Sequence, residues 1–167
     1  MMTNQQRKAS FDVGNNAQEL FKEVAIQRGW DVKNSTPYQD MKHHIDVIAT
    51  KDNLVCTFDI KARKKIARAD ESAQDDWIYV EFKNVRGDAG WLYGKANFIA
   101  FEMSDSFMIV HRKSLALYCE AVVHRDIKVS APHLCQYKSY TRKGRDDEIS
   151  LIETKRIPPE ITKYWIK

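Results

Sequence analysis

Ala17, Leu20, Phe21, Val24 and Ala25 recur at the three-and-four spacing of one helical face. The pattern predicts an amphipathic helix capped by Asp12 or Asn16 and stopped at Gly29, just after Arg28. Residues 1 to about 11 are polar, without a period, and read as a loose arm. Trp30 to Val32 reads as a short strand, and NSTPYQDMKHH as a polar loop broken by Pro37. Two strands follow, Ile45 to Thr50 and Leu54 to Ala62, joined as a hairpin through Lys51-Asp52-Asn53. In the second, Leu54, Cys56, Phe58, Ile60 and Ala62 point one way and Val55, Thr57, Asp59 and Lys61 the other.

Trp77 to Asn84 alternates again, with Ile78, Val80 and Phe82 on one face and Trp77, Tyr79, Glu81 and Lys83 on the other. VRGDAGWLYGKA carries three of the six glycines and must turn tightly. Asn97 to Met103 and Phe107 to His111 read as a further pair of strands, Ser114 to Val123 as a helix, and Leu151 to Ile157 as an edge strand. Helix, several strands, then helix predicts an α/β sandwich with a mixed sheet. A length of 167 residues fits one domain, 1–167.

Composition narrows this modestly. The net charge of +4 permits a polyanionic partner without demanding one. Cys56, Cys119 and Cys135 form no CxxC pair and leave one over, which favours a reducing compartment. The polar start and the absence of an apolar run of about 18 residues argue against a signal peptide or a membrane span, so a cytoplasmic protein is expected. No phosphate-binding loop, dinucleotide fingerprint or nucleophile elbow occurs.

The candidate chemistry lies in the hairpin. An acid two residues before a lysine on a strand places both side chains on one face. Carboxylates that hold Mg²⁺ beside an ammonium suit phosphodiester hydrolysis. The tripeptide alone is weak, because chance supplies roughly two in a chain of this composition, and it begins here at Asp31, Asp40, Asp59, Glu81, Asp126 and Glu153. Asp59-Ile60-Lys61 stands apart. Its strand has a wholly apolar second face, and the preceding strand carries one acid, Asp46, among Ile45, Val47, Ile48 and Ala49. An acid in so apolar a run is expensive unless exposed or liganded. Asp46, Asp59 and Lys61 are therefore expected together on an exposed patch.

An acid at the end of an apolar strand (HHIDVIA), a hairpin, and DIK on the next strand resemble the PD-(D/E)xK nuclease superfamily. With Glu19 in the leading helix, the order resembles the Holliday junction resolvases of archaeal type and small phage-encoded nucleases, over about residues 15 to 105. The resemblance implies a restriction-endonuclease-like core, with a mixed β-sheet flanked by helices. It implies Asp46, Asp59 and the Ile60 carbonyl as ligands of Mg²⁺ or Mn²⁺, with Glu19 as a further ligand, direct or through water. Lys61 would position the attacking water or stabilise the transition state. One departure is visible: Ile45, not proline, precedes the first acid.

The activity so implied is an endonuclease cutting DNA, branched or junction DNA first, with a 5′-phosphate product and a homodimer for paired cuts. A restriction- or homing-type nuclease and a non-cleaving nucleic-acid-binding module are the alternatives. Glu81 and Lys83 compete for the catalytic place: either they form the tripeptide with Asp59 upstream, or they flank Asp59 and Lys61 on the adjacent strand. The tight hairpin from Asp46 favours the second. Arg63, Lys64, Lys65 and Arg68 could contact phosphates, and Trp91 and Tyr93 could stack on an unpaired base, against the plainer reading of a solvated loop and a packed turn. His43 and His44 are candidate proton donors on the same footing.

Overall fold

A computed structural model describes residues 2–167. The chain groups into two compact units where its length suggested one domain. Unit 1 comprises residues 1–63, 96–109 and 164–167, and unit 2 comprises residues 64–95 and 110–163. The class is α/β, with two mixed sheets and three α-helices among the described residues.

Helix α1 (Asn4–Gln27) opens the chain. It takes in the segment expected to be a loose arm, because Thr3 and Gln6 form a reciprocal capping box that satisfies the first free backbone donors. Its buried residues, Ala17, Phe21, Val24 and Ala25, lie in its later turns, where the apolar period is. Gly29, at φ 81°, ends it as expected.

Strand β1 (Asp31–Asn34) is followed by α2 (Pro37–His43), a helix where a loop was expected. Thr36 and Gln39 form a second capping box, and Pro37 occupies the first turn, where its missing N–H costs nothing. Strands β2 (Val47–Lys51) and β3 (Leu54–Lys61) form the expected hairpin, with Lys51 paired to Leu54, so only Asp52 and Asn53 remain in the turn. Strand β1 runs antiparallel to β2, and β3 runs parallel to β5 (Phe98–Glu102). With β6 (Ser106–His111) and β10 (Thr162–Ile166) they make one sheet in the order β1-β2-β3-β5-β6-β10.

One face of that sheet makes the core of unit 1. Val47, Ala49, Cys56, Phe58, Ile60, Ala100 and Phe107 close over Ala17, Phe21, Val24 and Ala25. Phe21 is fully buried, with ring centroids 4.9 Å from Phe58, 5.3 Å from Phe107 and 5.7 Å from Trp165. Such aromatic pairs add about 0.5–1.5 kcal/mol each beyond burial. This core fixes which side of β3 is left for chemistry.

Unit 2 contains β4 (Trp77–Lys83), α3 (Arg112–Val122), β7 (His124–Val129), β8 (Lys138–Tyr140) and β9 (Glu148–Glu153). Its sheet runs β4-β9-β8-β7. The expected edge strand near Leu151 is thus an interior one. Leu151 and Ile152, adjacent and so on opposite faces, are both fully buried, as a strand covered on both faces requires. A bidentate pair from Arg125 to Glu148 (2.6 and 2.9 Å) anchors β7 to β9.

Candidate active site

Asp46 is held at the mouth of β2 by its backbone. Its N–H donates to the Phe58 carbonyl at 2.8 Å, and its carbonyl accepts from the Ser35 N–H at 2.9 Å. The ladder pairs Val47 with Phe58 and ends there; Asp46, one residue outside β2, brings its carboxyl close enough to Asp59 for each to act on the other. Phe58 and Ile60 point into the core under α1. Asp59 and Lys61 therefore occupy the opposite face, as the alternation predicts. On the far side Asp59 registers with Ile99 and Lys61 with Phe101, both buried.

These neighbours correct the expected exposure. Asp59 is only 2% exposed, while Asp46 and Lys61 keep partial contact with water. The surroundings of Asp59 are nevertheless polar on one side. Lys61 Nζ lies 2.7 Å from Asp59 Oδ1, and the Ile60 N–H donates to Asp46 Oδ2 at 2.6 Å. Asp59 Oδ2 is buried and has no hydrogen-bond partner. A buried carboxylate oxygen without a donor is costly.

The electrostatics follow from this crowding. Burial pushes Asp59 above the usual carboxylate range, against the opposing pull of Lys61 and of a hydrogen-bonding contact with the Asp46 carboxyl. Asp46 is raised to about 7, first by burial and then by the Asp59 charge, with the Ile60 N–H and Lys61 pulling the other way. Two ionised carboxylates are acceptors only, so a proton on Asp46 can serve Asp59 while the site holds no cation. The charge of Asp40, on α2, raises both acids as well. In the sequence Asp40 opens one of the tripeptides that do not stand apart. The Thr-x-x-Gln capping signature at Thr36 would have placed it on a helix leading into Asp46.

The donor set suits a hard divalent cation. It consists of carboxylate oxygens, one of them buried without a partner, which is what Mg²⁺ or Mn²⁺ takes. Among the described residues, no three His, Cys, Asp or Glu side chains form a closed metal-binding group. The site is an acid pair with an ammonium, not a preformed cage.

The remaining candidates are placed elsewhere. Glu19 is exposed and ion-paired to Lys22 at 2.6 Å, in a groove that it shares with Lys33 and Asn34 of β1. The strand adjacent to β3 is β5, not β4, so Glu81 and Lys83 are not on the strand next to Asp59 and Lys61 as expected. Glu81 faces Ile149 of β9, and its Oε1 accepts from the Trp91 N–H at 3.4 Å. Trp91 is 8% exposed, which corrects its assignment as a stacking surface; a ring so covered has no face for a base. Tyr93, partly exposed, donates its hydroxyl to Glu120 at 2.7 Å.

Arg63 ends unit 1, its N–H donating to Glu102 Oε2 at 3.2 Å, whereas Lys64, Lys65 and Arg68 are exposed and belong to unit 2. The Lys64 carbonyl is held by the Gln74 N–H at 3.2 Å, which closes the loop carrying the other two. His43 stacks edge-on against Tyr38, and His44 takes a left-handed conformation (φ 52°) that ends α2. No helix among the described residues is long and apolar enough to cross a membrane.

The chain matches no protein-family model, no curated protein and no solved structure.

Proposed function

We propose that the protein is a nuclease dependent on Mg²⁺ or Mn²⁺ that hydrolyses DNA phosphodiester bonds, branched DNA foremost, and acts as a homodimer. The observation that carries this reading is the unpartnered, buried Oδ2 of Asp59 beside Asp46 and Lys61. Unit 1 runs helix, strand, short helix, hairpin, so it holds the hairpin of the resemblance with α2 added before it.

Asp46 and Asp59 would hold the cation, with the Ile60 carbonyl as a backbone ligand by the same resemblance. The ion, when bound, polarises the phosphate and acidifies a water. Asp46 must lose its proton for the site to load, which ties activity to its raised titration. Lys61, already drawn to Asp59, carries the ammonium that orients the water or offsets charge developing on the phosphate. The water oxygen bonds to phosphorus while the bond to the 3′ oxygen breaks, and that oxygen takes up a proton. The 5′-phosphate stays with the product.

Charge distribution supports a polyanionic substrate. Unit 1 has ten Lys and Arg against ten Asp and Glu, and unit 2 has seventeen against thirteen, so the whole excess of +4 lies in unit 2. Lys64, Lys65 and Arg68 are candidate phosphate contacts there. Three free cysteines, all buried, accord with a cytoplasmic setting.

The test is a cleavage panel of four-way junction, flap, duplex and single strand with Mg²⁺ or Mn²⁺, comparing wild type with Asp59→Asn. Wild type should cut the junction fastest. The variant should bind it and lose cutting by roughly a thousandfold. Binding by both proteins without cutting by either would make the protein a non-cleaving module.

A further inference from the structure

We propose that Asp40, carried by α2, is the third carboxylate of the candidate metal site, acting on the bound cation through water in the place expected for Glu19. The inference rests on the metal-dependent reading above. It starts from what Asp59 lacks: Oδ2, on a residue 98% removed from solvent, has no hydrogen-bond partner. Two carboxylates and one ammonium leave a divalent cation short of hard oxygen partners, because Mg²⁺ keeps several waters that themselves need acceptors.

The fold offers one further acid on the element that leads into the pair, Asp40 of α2. Helix α2 is a single short element between β1 and β2, and its end is stitched directly to the site. The His44 N–H donates to the Asp40 carbonyl at 3.2 Å, and the Ile45 N–H to the Gln39 carbonyl at 3.2 Å. Asp46 follows at once, its N–H on the Phe58 carbonyl. The left-handed turn at His44 reverses the chain, so the last turn of α2 and Asp46 remain neighbours. Asp40 is exposed, which suits a group acting through water, and its charge reaches both Asp46 and Asp59.

Glu19 is occupied differently. Its carboxylate is 2.6 Å from Lys22 on the same helix. The buried residues of α1 pack on the Phe58 and Ile60 face of the sheet, opposite to Asp59. A helix covering one face is poorly placed to serve the other.

Mn²⁺ titration of the full chain at pH 8, by calorimetry or paramagnetic resonance, tests this without reference to cleavage. Asp40→Asn should weaken Mn²⁺ binding by about tenfold, the lower end of what outer-shell partners cost, and Asp40→Glu should restore most of it. Glu19→Gln should stay within about twofold of wild type. Asp40 also lies in the first turn of α2, so a purely helix-stabilising role would lower the melting temperature and leave Mn²⁺ affinity alone. Unchanged affinity in Asp40→Asn, or a loss in Glu19→Gln in its stead, overturns the assignment while the metal site stands. Absence of Mn²⁺ binding by wild type, or undiminished binding by Asp59→Asn, removes the metal-dependent reading and this inference together.

Discussion

Asp59-Ile60-Lys61 on β3 and Glu81-Phe82-Lys83 on β4 are the same kind of tripeptide on the same kind of strand. In both, the central residue is buried and the flanking pair shares a face. Their neighbours differ. Asp59 interacts with a second acid, Asp46, whereas Glu81 faces Ile149 and accepts from a backbone N–H in the glycine-rich turn. Lys61 is 2.7 Å from its acid, and Lys83 is exposed, with Glu148 opposite across a bulge. Spacing places two side chains on one face, and the adjoining strand decides whether they meet anything that makes chemistry. An acid next to an acid, half out of water, stores electrostatic cost that a cation can relieve. Glu81 is half-buried and has a backbone donor, whereas one oxygen of Asp59 is buried with none.

The sharpest way to break the comparison is to neutralise each lysine. Lys61→Gln should lower DNA cleavage by roughly a hundred- to a thousandfold, the usual loss when a charge-stabilising group at the reacting centre is removed. Lys83→Gln should change it less than about threefold, beyond any weakening of DNA binding that rises with salt. Initial rates on the preferred substrate, with circular dichroism to check folding, decide the matter. Equal losses in the two variants would erase the distinction between the strands.

The second difference is structural. A Cβ on Gly90 would lie 2.4 Å from the Glu81 carbonyl oxygen and 2.8 Å from its carbon. Gly90 also donates its N–H to the Phe82 carbonyl at 2.9 Å, so the turn cannot move off β4 without losing that bond. Its φ of −75° is ordinary, and the requirement for glycine is therefore one of space. Gly90→Ala should destabilise the fold by about 2–3 kcal/mol, as overpacking against backbone does. In a thermal melt that corresponds to about 5–10 °C for a chain of this size. A melting temperature within about 1 °C of wild type would mean that the turn is looser than this packing.

How far the sequence could be read depended on which signal each segment carries. The period-two and period-three patterns of the core located the later turns of α1, the β2–β3 hairpin, β4, β5, β6 and α3, because burial of one face leaves that trace. Asp46, Asp59 and Lys61 came with the hairpin, whose register is fixed by a short turn. Segments held by caps, not by burial, left no period. The start of α1 and all of α2 begin with Thr-x-x-Gln, at Thr3 and Thr36, and no residue of α2 is buried. The third acid, Asp40, was hidden with them. The burial of Asp59 was not legible either. Ile99 comes beside it through a parallel pairing forty residues away in sequence, and no local pattern announces that partner. Glu81 and Trp91 went astray for a related reason: a glycine turn folds back on β4, so the same alternation that marks an active face here marks a packed one.

Asp46 gives the finest measure of what sets β3 apart. Its folded-state titration near 7 lies well above the roughly 3.9 of an unfolded aspartate. The fold therefore favours the protonated acid. The stability this contributes is fully present below about pH 4 and is lost as pH rises through about 7. At pH 8 the metal-free protein carries the ionised pair at full cost, and Asp46→Asn removes it. Since Asp46 keeps some contact with water, the gain should be about 1–2 kcal/mol, or about 3–6 °C in melting temperature at pH 8, shrinking toward zero at pH 4. Mn²⁺ should raise the melting temperature of wild type at pH 8 and leave that of Asp46→Asn nearly unmoved, because only the former has the acid pair to load. A variant that melts below wild type at pH 8, or by the same margin at every pH, would mean that Asp46 is held by its hydrogen bond from Ile60 more strongly than it is strained by Asp59. The carboxylate would then be a structural cap on β3, and the contrast with Glu81, itself an acceptor of a backbone N–H, would vanish.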